Sequence, residues 1–329
     1  MKKAQIAIQF NWIFIFIVGA IILAFFLVVI KSQAKQSNLE LSAELINNLD
    51  TIIKTSQRSS GSFKIIDLPA VTLNFVCKDG FSNYELGNTG LKKDIPYDVI
   101  FAPSEMNGAQ LISWSVDWKV PYSITSFQFL TNSRIQYIVV NDTSSPFSRD
   151  LFNLLPENIT KKTVLFNDQI DDYNYDSYKI IFFTKVPQNI NTPKSKTELI
   201  KIIPSSNGLD GYGTIKFYEE SPSSGNLMGN SSYIRKESLL GAIFAQDYTF
   251  YECTMKKAYN RLDLINNITH YRTWNLSQET SIDNGCRNIY IHALSLLTYS
   301  TVPELYQNSV NMRKDNEDLI RGRNCPLIY

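Results

Sequence analysis

The sequence predicts an α+β protein: a long N-terminal helix, a β-rich and small α/β head, and a helical C-terminal segment. Three observations carry this. Trp12 to Ile30 is a run of nineteen residues without a charge, and no Pro or Gly separates it from an amphipathic stretch that follows to about residue 56. From 63 to about 135, apolar residues alternate with a period of two, as in half-buried strands. From Glu237 onward the period returns to 3.6. The 329 residues leave room for about two domains. An aromatic share of 12% argues against disorder. The net charge of +1 implies no polyanionic partner, and no nucleic acid is expected as one. The chain divides into 1–31 (apolar helix), 32–60 (amphipathic helix), 61–135 (β-rich), 136–235 (α/β) and 236–329 (helical, with disulfides).

The first segment reads MKKAQIAIQFNWIFIFIVGAIILAFFLVVIK. At 1.5 Å per residue, its uncharged run matches a bilayer core of about 30 Å. No other stretch approaches that length, so one span is expected, with the lipid bilayer as partner. The first 31 residues hold three Lys and no acid, which leaves 29 Lys/Arg against 31 Asp/Glu beyond them. That is the balance of an ordinary neutral ectodomain. A cleaved secretory signal needs a shorter apolar stretch and a small-x-small site, and Ser32-Gln33-Ala34 fits this poorly. A plain signal anchor is the simpler reading.

A third reading comes from the residues before the run. Lys2-Lys3-Ala4-Gln5-Ile6-Ala7-Ile8-Gln9-Phe10 resembles the class III signal of archaeal type IV pilin-like proteins. The resemblance covers about ten residues, or thirty with the apolar run. It implies cleavage between Ala4 and Gln5 by a prepilin peptidase, with the apolar helix retained. The family usually has Gly where Ala4 stands, and often Glu where Gln9 stands. That carboxylate is thought to pair with a neighbour's new amino terminus, whereas Gln9 offers hydrogen bonds but no charge. Asn11, just inside the run, suits a helix–helix contact, so Gln9 and Asn11 are the candidate packing residues for lateral self-association.

Beyond the span, Leu39, Ser42, Ile46, Leu49 and Ile53 step by 3, 4, 3 and 4, with Leu41, Leu45 and Ile52 widening the stripe. One rod is therefore expected from about 6 to 56, roughly 75 Å long. The stripe either packs on the chain's own head or forms a lateral seam. Ser59-Ser60-Gly61-Ser62 ends the rod.

In the head, Phe63–Ile66, Val71–Val76, Leu111–Trp118 and Phe127–Leu130 read as strands. Ile112, Trp114, Val116 and Trp118 share one face. A core face is the ordinary reading; an exposed Trp pair would suit a glycan. Further on, Tyr137–Val140, Thr163–Phe166 and Tyr178–Phe183 are strands, with a helix from Ser148 to Leu155 before Pro156. This order suggests a small Rossmann-like sheet. No GxGxxG, Walker or GxSxG motif accompanies it, so no cofactor is expected. Leu199–Ile203 and Thr214–Tyr218 flank Asn207-Gly208, a hairpin signal. In the last segment, Tyr251, Met255, Ala258, Leu262 and Ile265 form a helical stripe. A second helix runs from about Cys286 to Tyr299, capped by Asp283 or Asn284. A third runs from near Pro303 to Gly322 and carries Leu305, Met312 and Leu319 on one face.

Cys77, Cys253, Cys286 and Cys325 all lie beyond the span, and an even count outside the cytosol points to two disulfides. If the last two helices run up and down, the start of one lies near the end of the other. That pairs Cys286 with Cys325 and leaves Cys77 for Cys253. Asn141, Asn158, Asn230, Asn267 and Asn275 head N-x-S/T sequons, compatible with a glycoprotein surface. Asp172, Asn174 and Asp176 have the alternating oxygens of a calcium loop, but Ser177 and Phe183 stand where Gly and Glu belong, so a solvated turn is expected. His270 and His292 lack a partner at metal-ligand spacing. No metal site and no enzyme activity are expected. The sum is a single-pass cell-membrane protein with its ectodomain outside. It is either a pilin-like structural or adhesive subunit, or minor component of a pilus or secretion assembly, or else a non-polymeric signal-anchored ectodomain that binds a protein or surface ligand. The ectodomain also resembles membrane-anchored proteins of small archaeal genomes, a resemblance that brings no activity with it.

Overall fold

A computed structural model describes residues 3–57, 59–87, 89–141, 145–171, 173–185, 187, 189–191, 197–219, 227–279, 282–322 and 325–329. The chain is mixed α+β, and its first element is a single 55-residue helix, α1 (Lys3–Gln57). Its only Gly is Gly19 and it contains no Pro, so nothing interrupts the hydrogen-bond ladder between apolar run and amphipathic stretch. It ends just before Gly61, whose φ of +77° turns the chain into the head.

The first sheet holds β1 (Phe63–Lys78), β2 (Phe81–Leu86), β3 (Lys92–Ile95), β4 (Val99–Phe101), β5 (Glu105–Lys119) and β6 (Ser123–Thr131). Their spatial order is β3-β2-β1-β5-β6-β4. All pairings are antiparallel except β4 with β6. The two expected strands 63–66 and 71–76 are one strand, with its register against β5 shifting between Asp67 and Val71. Pro69 lies at that shift, where a residue without an N–H does least harm to the ladder. Asp79 (φ 54°) and Gly80 (φ 84°) close the β1–β2 hairpin, the Asp-Gly pair such a turn favours.

The second region runs β7 (Ile135–Asn141), α2 (Phe147–Leu154), β8 (Lys161–Leu165), β9 (Gln169–Asp171), β10 (Ser177–Phe182), β11 (Asn189–Asn191), β12 (Thr197–Pro204), β13 (Tyr212–Glu219) and β14 (Leu227–Ile234). Its main sheet has the order β14-β13-β12-β10-β7-β8. The β8, β7, β10 and β12 half is parallel, as the strand–helix–strand order predicts. The other half is an antiparallel meander through the hairpin at Gly208 (φ +76°). The sheet is therefore mixed, and only half of it is Rossmann-like. β9 and β11 form a separate parallel pair.

Four helices follow: α3 (Arg235–Phe244), α4 (Tyr248–Gln278), α5 (Asn284–Ser295) and α6 (Val302–Gly322). The Asp247 side chain accepts from Phe250 N at 2.8 Å and caps α4; Asp283 accepts from Gly285 N at 2.7 Å and caps α5. The helix expected to reach Tyr299 stops at Ser295. The main hydrophobic core joins α1, both sheets, α3, α4 and α6. The sheets and helices are thus layers around shared apolar packing. Trp118 is fully buried, stacked 5.2 Å from Phe127, and its indole N–H donates to Ile234 O at 3.1 Å. Trp114 packs on Phe129 and Phe244. The face carrying these two Trp is core.

Candidate functional site

The feature that sets this molecule apart is α1 and its seat on the head. Phe14–Gln33 is long and apolar enough to cross a membrane, and none of it is buried inside the protein. Phe14, Phe16, Phe25 and Val28 are each more than half exposed. Near its C-terminal end the same helix changes character. Ile46, Leu49 and Ile53 are buried in the main core, so this part of the amphipathic stripe is covered by the chain's own head. Tyr84 of β2, itself buried, donates to Ile46 O at 3.1 Å. Burial raises the Tyr84 hydroxyl well above its usual pKa, and the nearby Asp50 carboxylate adds to this, so the hydroxyl stays a donor. Asp50 bridges Lys54 on its own helix (2.8 Å) and Lys93 on β3 (3.3 Å), fixing the rotation of α1 against the sheet.

Beside that seat, α4 sends the buried Lys257 amino group to Ile95 O (2.7 Å) and Asp98 O (3.2 Å). Desolvation lowers its pKa to about 8, opposed by the Asp98 charge. Burial in turn raises Asp98. A lysine shifted in this way is a candidate general base, but both of its hydrogen bonds hold main-chain carbonyls in place. Two other lysines act alike. Lys161 donates to Phe152 O (2.9 Å) and Leu155 O (2.7 Å) at the C-terminus of α2. Lys179, fully buried, donates to Ala245 O (2.6 Å) and Gln246 O (2.8 Å) at the C-terminus of α3, and pairs with Glu198. A cation there satisfies orphan carbonyls and complements the helix dipole. Burial raises Glu198 despite that pair.

Cys77 and Cys253 are disulfide-bonded, with Cα atoms 5.9 Å apart, tying the end of β1 to α4. Cys286 and Cys325 are bonded with Cα atoms 6.3 Å apart, tying the start of α5 to the chain beyond α6. The second pairing is the one expected if the last helices run up and down, and the first is the pair that this leaves. The first disulfide forms part of the wall of an open cavity of about 530 Å³, with Asp79, Glu252, Lys256 and Tyr259 around it. Its described lining residues include no Ser, His or free thiol, and its carboxylates are Asp79 and Glu252.

The remaining candidate residues are placed as follows. Ala4, Gln5, Gln9 and Asn11 belong to α1, and their side chains lie outside the described residues. Asn141, Asn158, Asn230, Asn267 and Asn275 are all exposed. Asp172 lies outside the described residues, and Asp176 makes a two-pronged pair with Arg134 at 2.6 and 2.7 Å. His270 is exposed on α4. His292 Nδ1 meets Asp315 Oδ2 at 2.7 Å across α5 and α6, a partner that sequence spacing does not reveal. Burial raises Asp315, and His292 opposes the shift. Among the described residues no group of three or more His, Cys, Asp or Glu is arranged to hold a metal ion. Sequence reasoning also missed Tyr84 and the three lysines. For Lys257 there was a signal: a cation beside Met255 and Ala258 of the buried stripe. Comparison with protein-family models, curated proteins and solved structures finds no match.

Proposed function

We propose that the chain is a single-pass, membrane-anchored cell-envelope protein with its head outside, acting as a pilin-like structural or adhesive subunit or a minor component of a pilus or secretion assembly. The observation that carries this reading is the two-part helix: one half uncovered and apolar, the other half seated in the head's core without a break. An apolar segment of that size is stable only under lipid or against other apolar helices. A rigid link to the head transmits its position directly to the outside. A prepilin peptidase cuts between Ala4 and Gln5 and leaves the helix intact. The two disulfides support an oxidising location for the head. The size of the head favours a minor or capping role over that of a major filament subunit.

Gln9 favours a second reading, a signal-anchored ectodomain that does not polymerise and binds a protein or surface ligand, because the amide lacks the charge that pilin packing uses. Single cysteines placed along residues 6–16 separate the two. In native membranes, the pilin-like reading gives cross-linking that rises and falls along residues 6–16 with a helical period. Uniformly monomeric protein selects the second reading.

A further inference from the structure

We propose that Asn267 and Asn275 carry covalently attached glycans that cover an uncharged apolar strip of α4. This rests on the reading that the head lies outside the membrane. The second half of α4 is apolar on its outward side as well as its inward one. Its buried side chains are small hydroxyl residues, Thr269, Thr273 and Ser277, flanked by the partly buried Ile265 and Leu276. Its outward strip carries Leu264, Ile268, Tyr271 and Trp274, exposed by 60, 61, 66 and 48%. A solvent-facing helix side normally bears charges. Here Asp263, His270 and Arg272 lie to the sides of the strip and none stands within it. A contiguous apolar patch of this kind marks a surface that something covers.

The cover is indicated by the same strip. At 100° per residue, Asn267 and Asn275 project among these four side chains, and both are exposed. Each begins a sequon, with Thr269 and Ser277 in the third position. Eight residues along a helix is about 12 Å, a distance that a short oligosaccharide spans. Between the two Asn, the Tyr271 and Trp274 rings lie 6.5 Å apart and 29° from parallel, forming a platform for the C–H faces of sugar rings. Thr269 and Ser277 are buried once α4 packs, so the transfer takes place on the chain before this helix folds into place. The donor is a lipid phosphate-linked oligosaccharide. A bond forms between Asn Nδ2 and the anomeric carbon of the sugar. The bond from that carbon to the phosphate oxygen breaks, the lipid phosphate leaves with the electron pair, and the amide gives up one proton.

The test is mass spectrometry of peptides from the full-length protein purified from its own membranes, digested without reduction. The expected result is an oligosaccharide mass on both Asn267 and Asn275. Asn267→Gln and Asn275→Gln each lose one such mass, and the double variant gains binding of an apolar dye and self-associates. Bare Asn at both positions overturns the inference, as does a second copy cross-linked across Tyr271 in the native protein. The same digest reports the cysteines. Bare Asn with Cys286–Cys325 intact defeats the glycan assignment alone. Bare Asn with free thiols defeats the outside location as well.

Discussion

The Tyr84 hydroxyl and the Ile46 main-chain carbonyl, 3.1 Å apart, join the first sheet to the long helix where the helix enters the core. A carbonyl inside a helix already takes part in the helical ladder, so the extra donor does not rescue an orphan group. It aligns the helix. The apolar contacts of Ile46, Leu49 and Ile53 supply most of the adhesion. Tyr84→Phe is therefore expected to cost only about 0.5–1.5 kcal/mol. Leu49→Ala, which opens a cavity at a fully buried position, is expected to cost about 2–5 kcal/mol. Chemical denaturation of the full-length protein in detergent measures both. An unchanged midpoint for Leu49→Ala contradicts the seating of α1.

Lys257 makes stability depend on pH in a known direction. Its folded-state pKa is lowered to about 8 from an ordinary value of 10.5. Between those values the unfolded chain holds more protons than the folded one, so stability rises with pH. Below about 8 the side chain is charged in both states, and the full desolvation cost is present. The wild type is expected to gain stability between pH 8 and 10 relative to Lys257→Met. Parallel pH profiles for the two proteins are the opposing result.

Gly241 records how closely α3 approaches β4. A Cβ added there would sit 2.7–2.9 Å from the ring of Phe101. That ring is fully buried and packed against Phe127, Phe129 and Tyr251, so it has nowhere to move. Gly241→Ala is expected to destabilise by about 1–3 kcal/mol through overpacking, outweighing the gain in helix propensity. Thermal unfolding checks this, and a stabilised variant would contradict the packing.

How far these features can be read from the sequence depends on whether their causes are local. The α1 run is legible from its unbroken apolar composition, and the stripe Tyr251–Leu262 and the face Leu305–Met312–Leu319 because burial repeats with the helical period. The cysteine pairing is legible because short connections force α5 and α6 to run antiparallel. The break between α3 and α4 is not legible. No Pro or Gly marks Ala245-Gln246, and the carbonyls freed there are satisfied by Lys179 from a strand more than sixty residues earlier. The strands β2, β3 and β4 are not legible either: β2 buries Ser82 and exposes Phe81, which hides its period. Lys92–Ile95 and Val99–Phe101 are too short to show a period, and become strands only by pairing with neighbours. At the candidate site, the apolar helix is evident in composition. Its seat, built from Tyr84, Asp50 and Lys93, needs three elements to meet in space.

N-terminal sequencing of the protein purified from its native membranes tests the pilin-like anchor most directly. A prepilin peptidase acting on Lys2-Lys3-Ala4-Gln5 leaves the apolar helix in place and exposes a new amino terminus at its head. The account predicts a mature chain that starts at Gln5. An intact start at Met1 or Lys2 contradicts it, and so does a start at Lys35, which would mean that the apolar helix had been removed.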